Sequence, residues 1–281
     1  MNKTLLTLTA FIFICFSCEQ DDDIPIYEVD GYNMLLIGNS FFKPYAQKLD
    51  ELAIDAGFTN HNSTLITRGG DNGRPINFWN DSDSPEHQEI KATLDQGNIE
   101  IFGMTAGHEP EDPVEGHREW IAYAIQNNPN IAIFIAIPQI DFPADWEQRA
   151  QEYEFDSIEE LYNYFVNDLV NHTMVEQLRT EFPNTNIFTI PTGWAGKFLA
   201  QMKQDNLLQD EITMFGPKPT SIFTDTKGHQ GQIVIETGSL VWLSSIYNVD
   251  LSTHNYNTGF NTDLHELAKQ IVDDHDPNYT F

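Results

Sequence analysis

The chain has 281 residues, 40% hydrophobic and 20% charged, and its 43 Asp and Glu against 14 Lys and Arg give a formal net charge of -29. A surface that acidic repels nucleic acid and anionic lipid headgroups, and it disfavours strongly anionic substrates. Both cysteines, Cys15 and Cys18, lie near the start, so the rest of the chain has neither a disulfide framework nor a catalytic thiol.

The first residues read as a targeting segment. Lys3 supplies a positive charge, and the apolar run Leu5 to Phe16 has the length of a signal-peptide core, too short to span a bilayer comfortably. Cys15-Phe16-Ser17-Cys18 resembles the lipobox of bacterial lipoproteins, although Phe16 is larger than that pattern prefers. The resemblance implies removal of residues 1–17 and lipid on Cys18, which makes the protein a cell-envelope lipoprotein of the outer membrane. Glu19-Gln20-Asp21-Asp22-Asp23 follows, a like-charged leader that stays disordered and makes residues 18–30 a tether. Such an acidic run also resembles the export signal of surface-displayed lipoproteins. Residues 31–281 suffice for one domain with one substantial core.

Within that domain Met34-Leu35-Leu36-Ile37 reads as a buried strand ending in Gly38-Asn39-Ser40. The pattern then predicts a helix over Phe41 to Gly57, a strand over His61 to Thr67, and the loop Arg68-Gly69-Gly70-Asp71-Asn72-Gly73. A helix is expected over Pro85 to Asp95, a third strand over Ile99 to Met104, and a loop over Thr105 to Pro113. Val114 to Asn127 reads as a helix, and the β-branched run Ile131 to Ile137 as a strand covered on both faces. Pro138 to Phe155 is read as irregular. Ser157 to Phe182 is read as one long helix with Leu161, Phe165, Leu169, Met174 and Leu178 on its buried stripe. The fifth strand falls at Asn186 to Ile190 and a helix at Thr192 to Gln204. Asp205 to Thr224 reads as loops, Gln230 to Tyr247 as a helix, and Thr262 to Asp274 as a last amphipathic helix.

Five strands alternating with helices predict an α/β fold with a parallel sheet covered on both faces. Ligands bind such sheets beyond the carboxyl ends of the strands, at the switch in strand order. Ser40, Gly70, the Thr105–Glu109 loop and the Pro138–Asp141 loop all follow strand ends and are expected on one rim.

A strand that ends in Gly-x-Ser and opens a helix lifts the serine hydroxyl out of the backbone and leaves helix N–H groups free to face an anion. The same serine also suits a helix cap. Near the other end, Asp225-Thr226-Lys227-Gly228-His229 offers an imidazole to take the Ser40 proton and a carboxylate to orient it.

These residues together resemble the SGNH/GDSL hydrolase superfamily of serine esterases and acyl-hydrolases. That resemblance implies a flavodoxin-like three-layer sandwich, Ser40 as nucleophile with its N–H in the oxyanion hole, Gly70 as a second oxyanion donor, and no cofactor. The family carries its aspartate three residues before the histidine, and here Asp225 stands four before His229. It also places an asparagine after the third strand as an oxyanion donor. Here that loop reads Met104-Thr105-Ala106-Gly107-His108-Glu109, which leaves either Thr105 or His108 as a replacement donor or a hole formed by the Ser40 and Gly70 N–H groups alone.

Asn39, Arg68 and Arg74 flank the site as candidate substrate contacts, the arginines for a carboxylate or sulfate, with ordinary ion pairing as the other reading. Trp79, Trp146 and Trp194 are candidates for stacking on a sugar or for the core. His108, Glu109, Asp112 and His117 raise a metal alternative, but their spacing matches no ligand signature, and no metal is assigned. The expected substrate is a carboxylic ester, an acyl group on a carbohydrate. The rival is a surface lipoprotein with a degenerate site that binds a glycan or small ligand at the same rim.

Overall fold

The computed structural model describes residues 30–107 and 112–281. The targeting segment, Cys18 and all but the last residue of the tether fall outside the described residues, as do His108 and Glu109.

Strand β1, Asn33–Gly38, lies second from one edge of the sheet, and its Met34, Leu35, Leu36 and Ile37 are all fully buried. It pairs in parallel with β2, Asn62–Thr67, on one side and with β3, Ile101–Thr105, on the other. Next come β4, Ala132–Ala136, and β5, Ile187–Ile190, giving a five-stranded parallel sheet of order β2-β1-β3-β4-β5 among the described residues. Side chains alternate across a strand. Met34 and Leu36 therefore join one core cluster, and Leu35 and Ile37 join a second on the opposite face.

The first cluster lies under helices α1 (Lys43–Asp55), α8 (Gly193–Gln204), α9 (Gln232–Tyr247) and α10 (Leu264–Asp273). The second lies under α3 (Pro85–Leu94), α4 (His117–Asn127) and the long helical stretch that includes α7 (Glu176–Glu181), while the short α2 (Pro75–Asn80) follows the loop after β2. Helices on both faces make the three layers expected from the sequence. The chain leaves β1 for β2 on one side and crosses back to β3 on the other, so the switch in strand order falls at the C-terminal end of β1, where Ser40 stands.

Three expectations change. Pro138 to Phe155 is not all irregular: a 3-10 turn at Pro143–Asp145 leads into α5, Trp146–Glu152, because Trp146 and Ala150 bury one face a turn apart. Asp205 to Thr224 holds two short parallel strands, β6 (Thr213–Phe215) and β7 (Ser221–Phe223). The long helix is a succession of α6 (Ile158–Asn163), a π-helical stretch Tyr164–Val175, and α7. A π turn is wider than an α turn, so the buried stripe runs at a spacing of four through Val166, Val170, Met174 and Leu178, and Phe165 and Leu169 are only half-buried.

Candidate active site

The turn after β1 settles what Ser40 is not. The carbonyl of Asn39 accepts the N–H groups of Phe42 and Lys43 at 3.2 and 3.0 Å, and its side-chain oxygen accepts the N–H of Phe41 at 3.0 Å. Helix α1 begins at Lys43 with Phe42 in the cap position and no side-chain cap. Ser40 is therefore not the cap. Its Oγ lies 2.9 Å from His229 Nε2 instead.

On the far side of the imidazole, His229 Nδ1 is 2.6 Å from Asp225 Oδ2. The arrangement requires Nδ1 to carry the proton donated to Asp225, which leaves Nε2 to accept from the serine hydroxyl. The extra residue in this loop is absorbed by Gly228, whose φ of +101° suits only glycine comfortably. Asp225 Oδ1 accepts the N–H groups of Gly228 and His229 at 3.0 and 3.1 Å, so both carboxylate oxygens are engaged. Burial pushes the Asp225 carboxyl upward. The hydrogen bonds and charge of His229 and the Gly228 N–H more than offset that, and the carboxyl sits below its ordinary value.

Further contacts fasten this loop to the serine turn. The base of the loop is closed by a bridge between Phe223 and Gln230 and by the Thr224 N–H donating to the His229 carbonyl at 2.7 Å. Buried Gln230 donates Nε2 to the Phe41 carbonyl at 2.9 Å, and the Phe41 ring stacks on the His229 imidazole at 4.9 Å and 8°. From the loop after β4, buried Gln139 donates to the Gly228 carbonyl, and the Phe142 N–H donates to the Lys227 carbonyl at 3.0 Å. Asp141, in the same loop, sits 3.7 Å from Lys227. Burial raises its carboxyl against the opposing charges of Lys227, Arg149 and His229. Neither glutamine nor Phe41 carried a signal in the sequence as a positioning residue. Adjacency to His229 and the Pro138–Asp141 loop were the only clues.

The flank of Ser40 where the resemblance expects the oxyanion is built from backbone. The end of β2 is tied to the serine turn by the Arg68 N–H donating to the Gly38 carbonyl at 3.1 Å. Gly70 opens a 3-10 turn, Gly70–Gly73, at φ +55°. Gly73 closes that turn against β1: a Cβ there would lie 2.6 Å from the Gly38 carbonyl oxygen and 2.7 Å from Asn39 Cα. No acceptor among the described residues takes up the N–H of Ser40 or of Gly70.

Several candidates are used elsewhere. Thr105 is buried, with its hydroxyl directed at the Ala106 carbonyl at 3.5 Å, so it is turned inward and not toward the rim. Arg68 pairs with Asp81 and Glu86, each at 3.0 Å, and lies over the Phe78 ring, which spends its charge on the protein. Asp112 is paired with Arg118 at 2.6 Å. His117 is buried, and its Nε2 donates to the Thr105 carbonyl at 3.1 Å. Burial first, and then the charge of Arg74, push His117 down to about 4. No group of three or more metal-ligating side chains occurs among the described residues. Trp146 is buried with Nε1 donating to the Ile140 carbonyl, Trp79 meets Trp120 edge-on at 4.9 Å, and Trp194 stacks with Phe198 at 5.2 Å. All three serve packing.

No family model matches the chain, and no curated protein does. Among solved structures, the chain bears a likeness to the periplasmic domain of the lipopolysaccharide acetyltransferase of Salmonella ser. Paratyphi A, at 15% identity and a TM-score of 0.44, over 78% of this chain and 83% of that one. Among the described residues no helix is long and apolar enough to cross a membrane.

Proposed function

We propose that the protein is a serine hydrolase of the SGNH/GDSL type that cleaves a carboxylic ester, an acyl group on a carbohydrate, through an acyl-Ser40 intermediate. The observation that carries the reading is the continuous chain Ser40 Oγ, His229 Nε2, His229 Nδ1, Asp225 Oδ2, with links of 2.9 and 2.6 Å at the switch in strand order.

Ser40 Oγ attacks the ester carbonyl carbon as His229 Nε2 takes the hydroxyl proton, and the carbonyl electron pair moves onto oxygen. Asp225 stabilises the imidazolium as it forms. The tetrahedral intermediate collapses with cleavage of the carbon–oxygen bond to the alcohol, and His229 returns the proton to the departing oxygen. Water then attacks the acyl-serine, giving its proton to His229, and the acid leaves as Ser40 recovers its hydrogen. The N–H groups of Ser40 and Gly70 receive the oxyanion in both steps.

The carbohydrate part of the proposal rests on the resemblance and the expected location, and an open groove of about 620 Å³ beside the loop after β2, lined in part by Thr67, Arg68 and Asn72, leaves room for an alcohol. Lipidation at Cys18 and display at the cell envelope belong to the same proposal and rest on the targeting segment alone. Hydrolysis of a short-chain aryl ester by the wild type, Ser40→Ala and His229→Ala tests the reading. Activity is expected from the wild type only. Activity surviving Ser40→Ala removes the catalytic assignment, and an inert wild type that binds an acylated oligosaccharide supports the degenerate glycan binder.

A further inference from the structure

We propose that Asp141, Phe142 and Lys227 form the subsite for the alcohol half of the ester and take the pyranose ring whose hydroxyl carries the acyl group. The inference rests on the hydrolase reading of Ser40 and gives its leaving group a place.

The reaction fixes the side. His229 Nε2 hands a proton to the departing oxygen, so the alcohol has to come within hydrogen-bond reach of that nitrogen. Its first ring therefore lies over the histidine loop. The loop after β4 is fastened to that same stretch. The Phe142 N–H donates to the Lys227 carbonyl at 3.0 Å, and Pro143 packs on Gly228, where an added Cβ would stand 2.9 Å from the proline Cδ. Residues 141–143 thus sit against the two residues that precede His229.

The side chains on this wall suit a ligand better than a core. Phe142 holds φ +59° and ψ 65°, a left-handed backbone that is costly for a bulky residue, yet its ring is 39% exposed. Asparagine or glycine takes that backbone at less cost, and core packing does not account for the ring. The Arg149 guanidinium lies over it at 5.6 Å, which fixes its place. Beside it Asp141 and Lys227 form a loose pair at 3.7 Å, both partly exposed. Burial raises the Asp141 carboxyl, the charges of Lys227, Arg149 and His229 oppose that rise, and the charge of Asp71 adds to it. The carboxyl is thus within electrostatic reach of the histidine loop and of the Gly70–Gly73 turn, and the subsite opens toward the groove beside the loop after β2. Lys227 Nζ stands 5.8 Å over the Phe41 ring, which itself stacks on the His229 imidazole.

An aromatic ring beside a carboxylate and an ammonium matches a sugar. The C–H face of a pyranose stacks on the ring, and its hydroxyls donate to the carboxylate and accept from the ammonium. A short aliphatic alcohol reaches none of the three.

The test compares kcat/KM on mono-acetylated methyl glucoside, galactoside and mannoside with kcat/KM on ethyl acetate. The variants are Phe142→Asn, which suits the left-handed backbone, Phe142→Tyr, which keeps the ring, Asp141→Ala and Lys227→Met, each with thermal unfolding in parallel. The wild type should prefer at least one sugar ester on the order of 10²-fold. Phe142→Asn should lower that preference on the order of tenfold, and Asp141→Ala and Lys227→Met on the order of ten- to hundredfold. Phe142→Tyr should retain it. A purely structural role moves both kinds of substrate alike, so an unchanged ratio in Phe142→Asn and Asp141→Ala overturns the subsite. A wild type that hydrolyses ethyl acetate without preferring any sugar ester also overturns it, with Ser40 still the nucleophile. A wild type inert on every ester overturns the hydrolase reading instead. Calorimetric titration of the same glycosides into wild type and Phe142→Asn then decides the subsite, which stands only if the variant binds about tenfold more weakly.

Discussion

The two halves of the rim solve the same problem with different materials. On the histidine side, side chains do most of the work: Asp225, His229 and Ser40 form one hydrogen-bonded chain, and Gln230, Gln139 and Phe41, with the backbone N–H groups of Thr224 and Phe142, hold the loop that carries it. On the side proposed to receive the oxyanion, the wall is mostly backbone, the Gly70–Gly73 turn set against the end of β1. The contrast teaches that the histidine side should fail by misplacement and the oxyanion side by loss of charge complementarity. Perturbations of the two should therefore read out differently.

The largest effect sharpens the first half. Ser40→Ala and His229→Ala should each lower kcat on an aryl ester by on the order of 10⁶-fold, and the double variant should be no worse, because the members of a relay act as one unit. Additive losses would mean that the two residues do not work together. Asp225→Ala should cost less, on the order of 10⁴-fold, since the imidazole then loses its tautomer and its orientation. A loss under about tenfold would leave a Ser40–His229 dyad.

Gln230→Leu comes next. It removes the bond to the Phe41 carbonyl and frees the histidine loop relative to the serine turn. A displacement of about 1 Å at the reacting groups lowers kcat by on the order of 10²-fold. The carbonyl left unpaired lowers stability by about 1–3 kcal/mol. Urea unfolding and kcat measured on the same sample separate the two, and a stability loss without a kcat loss would show that the loop holds its position unaided.

The last effect distinguishes the halves by pH. His117, below the oxyanion side, is held neutral with its value pushed down from 6.5 to about 4. Its folded value is depressed, so the unfolded chain binds the extra proton between those limits. Its contribution is complete above about 6.5 and is lost as pH falls toward 4, to about 3 kcal/mol. Asp225 has the opposite kind of charge and the same direction of shift, below 3.8. Its contribution is present above the ordinary carboxylate value and is lost only as pH falls through the lower folded one. Thermal unfolding of His117→Gln against wild type between pH 4 and 7 should show a flatter acid limb for the variant. Parallel limbs would mean that His117 does not govern the acid loss.

Much of the histidine side was legible because its parts are chemically distinctive. An apolar run ending in Gly-x-Ser, and an aspartate close before a histidine, stand out as residue types, and the alternation of strands and helices placed them at strand ends. What was not legible depended on backbone angles or on contacts distant in sequence. Asp225 reaches His229 Nδ1 across a four-residue spacing with Gly228 at a positive φ between them. Gln139 and Gln230 act on residues 89 and 189 positions away, and nothing local marks them. The π-helical stretch moved the buried stripe from Phe165 and Leu169 to Val166 and Val170, since a pattern read at 3.6 residues per turn assumes an α-helix. Nothing local marked Arg68 as the partner of Asp81 and Glu86, which lie 13 and 18 positions further along the chain.

Peptide mass mapping after treatment with a fluorophosphonate tests the central claim most directly. The account predicts a single stoichiometric adduct on the peptide that contains Ser40, slowed by orders of magnitude in His229→Ala and absent in Ser40→Ala. An unlabelled Ser40 in a folded wild-type protein, or an adduct on another serine that tracks with ester hydrolysis, would contradict it.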